Sequence, residues 1–116
     1  MSRPKVIVYD VEFARPVPKD DWSRMTECGI SVLVSQSSEE PGPRVWLPRE
    51  GAHVWAAFAL HVLLHDAAIT WNGLSCDDVM IGVECSFWQE VLPHLKRVDL
   101  CVVAGLYALT AEKGLD

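Results

Sequence analysis

The residues of this 116-residue chain best equipped for chemistry are three carboxylates, Asp10, Glu12 and Asp77. Asp10 and Glu12 end an apolar run, Val6-Ile7-Val8-Tyr9-Asp10-Val11-Glu12-Phe13. On a strand, residues two apart point to the same face. These two carboxylates therefore aim at one spot, at the mouth of a strand whose composition reads as buried. A second apolar run, Ile69-Thr70-Trp71, breaks at Asn72-Gly73, and Asp77 follows. Three carboxylates near two strand ends suit hard divalent cations, which prefer oxygen ligands, and with them phosphate chemistry.

The elements that must position these groups are legible in outline. Residues 5–13 read as a central strand, because they are β-branched and continuous. Residues 14–22 are a loop with Pro16 and Pro18. Residues 28–35 and 44–47 read as two more strands, separated by a turn at Pro41-Gly42-Pro43. No helix intervenes, so these three strands form an antiparallel meander. Residues 52–65 are rich in helix formers and apolar nearly all round, which calls for cover on more than one side. A fourth strand at 67–71, an irregular helix over 77–90, a short fifth strand at 97–100 and a helix over 101–113 complete the order β-β-β-α-β-α-β-α. The expected fold class is α/β: one mixed five-stranded sheet, three antiparallel strands followed by alternating helices and parallel strands, with helices on its faces.

Composition narrows the function. The length fits a single domain over residues 1–116. Sixteen acids against ten bases give a net charge of −6. That balance does not suit a protein held on nucleic acid by bulk positive charge. It leaves room for a nuclease whose acidic site gains positive charge from bound metal. No apolar stretch is long enough to span a membrane. Residues 1–5 lead directly into a strand and lack the apolar region of a signal peptide, so the expected location is the cytoplasm. The four cysteines form no C-x-x-C pair and read as reduced thiols in or near the core. His61 and His65 stand four apart on the long helix, with His53 near the same side; no Glu or Cys joins them at ligand spacing, so they read as helix-surface or core-edge residues. The five tryptophans read mainly as packing anchors. Trp22, in the loop beyond the first acidic motif, is the best placed to stack on a base. Arg15, Lys19, Arg24 and Arg44 are the bases nearest to meeting phosphates, and they form no dense patch.

Taken together, strand–Asp-x-Glu, a meander, a helix and a strand ending Asn-Gly-x-x-x-Asp resemble the DEDD (DnaQ-like) 3′–5′ exonucleases of the ribonuclease H-like superfamily. Asp10 and Glu12 match the family's first motif, and Asp77, with Asn72-Gly73 before it, matches the second. The resemblance implies hydrolysis of phosphodiester bonds at a single-stranded 3′ end of DNA or RNA, with two Mg²⁺ or Mn²⁺ ions as cofactors. It also implies roles. Asp10 would bridge both ions, Glu12 would hold the one carrying the attacking water, and Asp77 would serve the leaving-group side. Asn72, Gly73, Phe13 and Trp22 would meet the substrate. The chain departs from the family in three places. Phe13-Ala14 follows Glu12 where relatives commonly have Thr and then glycine. Cys76 stands where an aromatic residue usually precedes the second-motif Asp. The third motif, a Tyr or His four or five residues before a last metal-binding Asp, is absent from its usual place on a C-terminal helix. His94 and Asp99 have the spacing of that motif but lie earlier and lead into a strand. The resemblance thus leaves two expectations side by side: an exonuclease or a portion of one, or an inactive ribonuclease H-like module that binds nucleic acid or protein. In either case the domain is expected to lack the C-terminal helix of full-length relatives. A homodimer or a further polypeptide segment would then cover the flank that helix leaves bare.

Overall fold

Alternating burial along the first strand organises the molecule. In a computed structural model, which describes residues 3–19, 21–71, 73 and 76–112, strand β1 (Val6–Phe13) buries Ile7, Tyr9 and Val11 and exposes Val8, Asp10 and Glu12. Strand β2 (Ile30–Ser37) runs antiparallel to β1 and pairs Tyr9 with Ser35 and Val11 with Leu33, so the buried positions of the two strands share a face. Strand β3 (Arg44–Trp46) adds to β2 antiparallel. Strands β4 (Ala67–Thr70) and β5 (Lys96–Asp99) add to the other side of β1, both parallel. The order is β3-β2-β1-β4-β5, with β1 in the middle as its composition predicts.

Three helices cover one face. Helix α1 (His53–Leu63), helix α2 (Asp77–Glu84) and the short helix α3 (Trp88–Val91) each reach Tyr9. Its ring makes edge contacts with Phe58 of α1 and Trp88 of α3, 5.5 and 6.2 Å between centroids. Its hydroxyl donates to Asp78 of α2 at 2.6 Å. Phe58, Ile7, Leu33, Trp88 and Ile81 lie in the same fully buried cluster. Helix α4 (Leu100–Glu112) follows β5 directly and lies beside β4 and β5.

The sequence misleads in four places. Strand β1 is central yet buried on one face only, since Val8 stays 45% exposed. Helix α1 is covered on one side; Leu60, Leu63 and Leu64 face solvent despite their type. Alanines at 56, 57 and 59 carry its helix propensity, so the apolar count overstates how much of it must be buried. The predicted helix over 77–90 breaks at Cys85, whose extended backbone separates α2 from α3. Strand β2 starts two residues late because Cys28 caps a 3₁₀ turn at Trp22–Glu27. The predicted C-terminal helix begins at Leu100, and its expected end near Gly114 lies outside the described residues. All four cysteines are free thiols, with Cys28 and Cys85 buried. No helix among the described residues is long and apolar enough to cross a membrane.

Inside the covered face sits one charge pair. Asp78 is buried and accepts from Tyr9 Oη, from Trp88 Nε1 at 3.3 Å, and from Arg97 Nη2 of β5. A buried carboxylate that loses its cation is left uncompensated, at a cost of about 3–5 kcal/mol, whereas losing one neutral donor costs about 1–2 kcal/mol. Arg97→Met should therefore destabilise the domain by about 3 kcal/mol and Tyr9→Phe by about half as much in urea unfolding. Equal effects would show that Arg97 is not what neutralises Asp78.

Candidate functional site

The acids lie where the pairing of β1 runs out on one side. Strand β4 pairs with β1 as far as Val8 opposite Ile69 and stops at Thr70, while β1 runs on to Phe13. The edge of β1 beyond Val8 is left open on that side. The chain returns there at Asp77, whose Oδ2 accepts from Val11 N at 3.1 Å. A carboxylate thus takes the hydrogen bond that a longer β4 would have made. The return is tight. A Cβ at Gly73 would stand 2.6 Å from Thr70 Cβ, so only glycine fits the turn, and Gly73 O accepts from Asp78 N at 2.8 Å.

This return brings Asp77 against Asp10. Burial first, then the hydrogen bond and the negative charge of Asp10, push the Asp77 carboxyl up to about 7 from 3.8; the Val11 amide pulls the other way. Glu12 lies two residues on, exposed on the same face of β1 as Asp10. Just past it the register with β2 slips between Glu12 and Phe13, so β1 bends there. Glu84, at the far end of α2, accepts from Ile30 N at 3.2 Å, which ties the helix to the strand partner of that bend. Among the described residues, no group of three His, Cys, Asp or Glu side chains is arranged to hold a metal ion. The pair formed is Asp10 with Asp77, and Glu12 shares their face without closing a third corner.

The other predicted residues fall into place as follows. Phe13 packs against the core beyond the bend, and the exposed Trp22 meets its ring at 6.1 Å with the planes tilted by 53°. Asn72 lies outside the described residues. Gly73 is buried against Thr70 of its own chain, and the room it provides serves the turn. Asp99 is buried at the end of β5 and accepts from Cys101 N, a capping contact at the start of α4. His94 is exposed in a 3₁₀ turn. Of the basic residues, Arg24 is bound by Glu27 and Arg44 by Glu40, while Arg15 donates to the Glu27 carbonyl. The histidines are core-edge residues at the opposite end of the sheet. His65 Nε2 meets Ser37 Oγ at 2.6 Å, and His61 Nε2 stands 3.0 Å from Glu40, a residue brought to it by the β2–β3 hairpin. Burial holds His61 below its usual value.

Two residues here escape a reading of the sequence. Asp78 looks like a spare acid beside Asp77, and Arg97 like a surface base. Their pairing fixes α2 against β1 and β5, and so fixes Asp77. The available signal was two adjacent acids starting a helix, of which a helix dipole satisfies either equally well.

No protein-family model matches the chain, and no curated protein is significantly similar. Among solved structures, the chain is similar to the family B DNA polymerase from the hyperthermophilic archaeon Pyrobaculum calidifontis, with a TM-score of 0.58 and 15% sequence identity. The likeness covers 86% of this chain and 16% of that one. The fold is ribonuclease H-like. At this identity the likeness speaks for the fold, and what the corner does must be argued from its own chemistry.

One consequence can be measured on stability alone. In the unfolded chain Asp77 releases its proton near 3.8, but in the folded chain it holds it up to about 7. Folding therefore retains a proton between those values, and the stability this proton secures below 3.8 is lost as pH rises towards 7. Asp77→Asn keeps the acceptor for Val11 and removes the charge. It should flatten the fall in melting temperature from pH 4 to pH 8 and melt higher than the parent at pH 8. A parallel pH profile for the two proteins would show that Asp77 does not hold its proton in the folded chain.

Proposed function

We propose that the corner formed by Asp10, Glu12 and Asp77 is a divalent-cation site for phosphodiester hydrolysis, of the 3′–5′ exonuclease type, on single-stranded DNA or RNA. The observation that carries this reading is the contact between Asp10 and Asp77. Two carboxyls pressed together mark a place where positive charge is wanted. All the donors are oxygens, which suits Mg²⁺ or Mn²⁺. Asp10 and Asp77 would hold the ion, with Glu12 as a further carboxylate from the same face of β1. When bound, such an ion supplies an activated water and offsets charge on the phosphoryl group.

The chain's own part is positional. The Val11 amide fixes one oxygen of Asp77. The Asp78–Arg97 pair stops α2 from drifting as charge at the corner changes. Beyond the bend after Glu12, the exposed Trp22, held against the core-packed Phe13, offers aromatic surface for an unstacked base. With a net charge of −6, affinity for nucleic acid has to come from local contacts such as the ion and this surface.

A second reading is an inactive ribonuclease H-like module that binds nucleic acid or protein. It is favoured by the two-membered contact at the corner. The two readings separate in one experiment. At ten times its Kd, a bound ion stabilises the folded state by about 1.4 kcal/mol, which raises the melting temperature of a domain this size by about 5 °C. Mn²⁺ should produce that shift in the parent and none in Asp10→Asn, and the parent should shorten a 5′-labelled single-stranded oligonucleotide from its 3′ end. A shift without shortening favours the binding module. No shift with Mn²⁺ or Mg²⁺ overturns the cation site.

A further inference from the structure

Two arginines of this acidic chain are not matched by its own carboxylates. Arg24, Arg44 and Arg97 are ion-paired, to Glu27, Glu40 and Asp78. Arg15 and Arg49 have no carboxylate partner among the described residues, and both line one cleft of about 350 Å³ past the end of β1. Ala14 N donates to Gly29 O at 2.9 Å and Arg15 N to Cys28 O at 3.1 Å, which carries the pairing with β2 beyond the bend. Arg15 Nη2 donates to Glu27 O at 2.6 Å, so the guanidinium is held in place. Arg49 comes from the 3₁₀ turn Pro48–Glu50 before α1. Gly29, at φ +68°, keeps the floor clear, since a Cβ there would touch Arg15 Nη2 at 3.4 Å and Glu84 Oε1 at 3.6 Å. Trp55 of α1 is a further wall. It is 6% exposed, and its indole N–H has no hydrogen-bond partner among the described residues. A buried tryptophan N–H usually finds one. This one is not sealed off, so an acceptor from outside can reach it.

We propose that this cleft binds one phosphodiester group of a single-stranded nucleic acid, through the Arg15 and Arg49 guanidiniums and the Trp55 N–H. These three groups can only donate, and the free oxygens of a phosphodiester can only accept. A planar guanidinium matches phosphate geometry better than a point charge does. The charge balance narrows the ligand further. Glu84 is the carboxylate of the cleft, and its Oε1 already accepts from Ile30 N. Two guanidiniums against that carboxylate leave one positive charge. A diester carries one negative charge, whereas a monoester carries about −1.5 to −2 at pH 7. Four residues of chain separate Asp10 from Ala14, at most about 13 Å at 3.3 Å per residue. The cleft and the acidic corner can therefore hold different groups of one strand. The proposal rests on the reading of this domain as one that takes single-stranded nucleic acid, and it needs no divalent ion.

Titration of the ¹⁵N-labelled whole chain with thymidylyl-(3′→5′)-thymidine, in EDTA, tests the proposal at the indole N–H signal of Trp55. The expected result is a saturable movement of that signal, with Kd on the order of 1 mM, that weakens as salt rises. Thymidine, which has no phosphate, should leave the signal in place. Arg49→Gln changes an exposed residue outside the core, so the fold is kept. It should weaken binding roughly tenfold or more. No movement up to 20 mM overturns the proposal, as does an equal response to thymidine or full binding by Arg49→Gln. Tighter binding of thymidine 5′-monophosphate or inorganic phosphate also overturns it, because the cleft would then favour the more highly charged anion. In EDTA the titration is blind to the cation site. A failure here leaves that site standing, and a missing Mn²⁺ shift leaves this cleft standing.

Discussion

The domain depends on how the first turn of α2 is plugged into the central strand. Two consecutive aspartates do this with opposite strategies. Asp78 enters the core and is neutralised there by Arg97, Tyr9 and Trp88. Asp77, equally buried, takes the amide of Val11 and faces another acid. The first arrangement is a structural anchor, because its charges are matched. The second is strained electrostatically, and it holds only because the first holds the helix in place. Burial pushes both carboxyls up, but for Asp78 the surrounding donors pull back, whereas for Asp77 the nearest side chain pushes further.

The sheet around them is built to cover one side well. The buried face of β1 meets α1, α2 and α3 through a single tyrosine, whose hydroxyl is kept protonated by burial and by the adjoining Asp78 charge, so that it donates. The other face, with Val8, Asp10 and Glu12, is open. Asp10 and Glu12 consequently stand on the solvated side, where a soluble ion or a strand of nucleic acid has access, while Asp77 meets them from a buried position.

Much of this was written plainly in the sequence. The alternation in Val6–Phe13 fixed which residues share a face, and the lack of a helix before residue 52 fixed the meander, so the α/β class and the strand count followed. The pairing of Asp10 with Asp77 was expected, because a strand end followed by Asn-Gly and an acid leaves few places for that acid to go. What could not be read were contacts that depend on distance in space. Arg97 and Asp78 are 19 residues apart, and His61 meets Glu40 through a hairpin. Nor does the count of leucines in α1 distinguish a helix buried all round from one half exposed, since the pattern at 60, 63 and 64 reads the same in both.

Thr70 and Gly73 give this architecture a property of its own. The span between the two acids is gauged by a contact with no side chain on one of its members. Any larger residue at 73 has to push the start of α2 outward, and the first thing lost is the alignment of residue 77, long before the hydrophobic interior notices. The domain could thus remain well folded while its acidic corner falls out of calibration, so integrity of the fold in a variant says little about integrity of the corner.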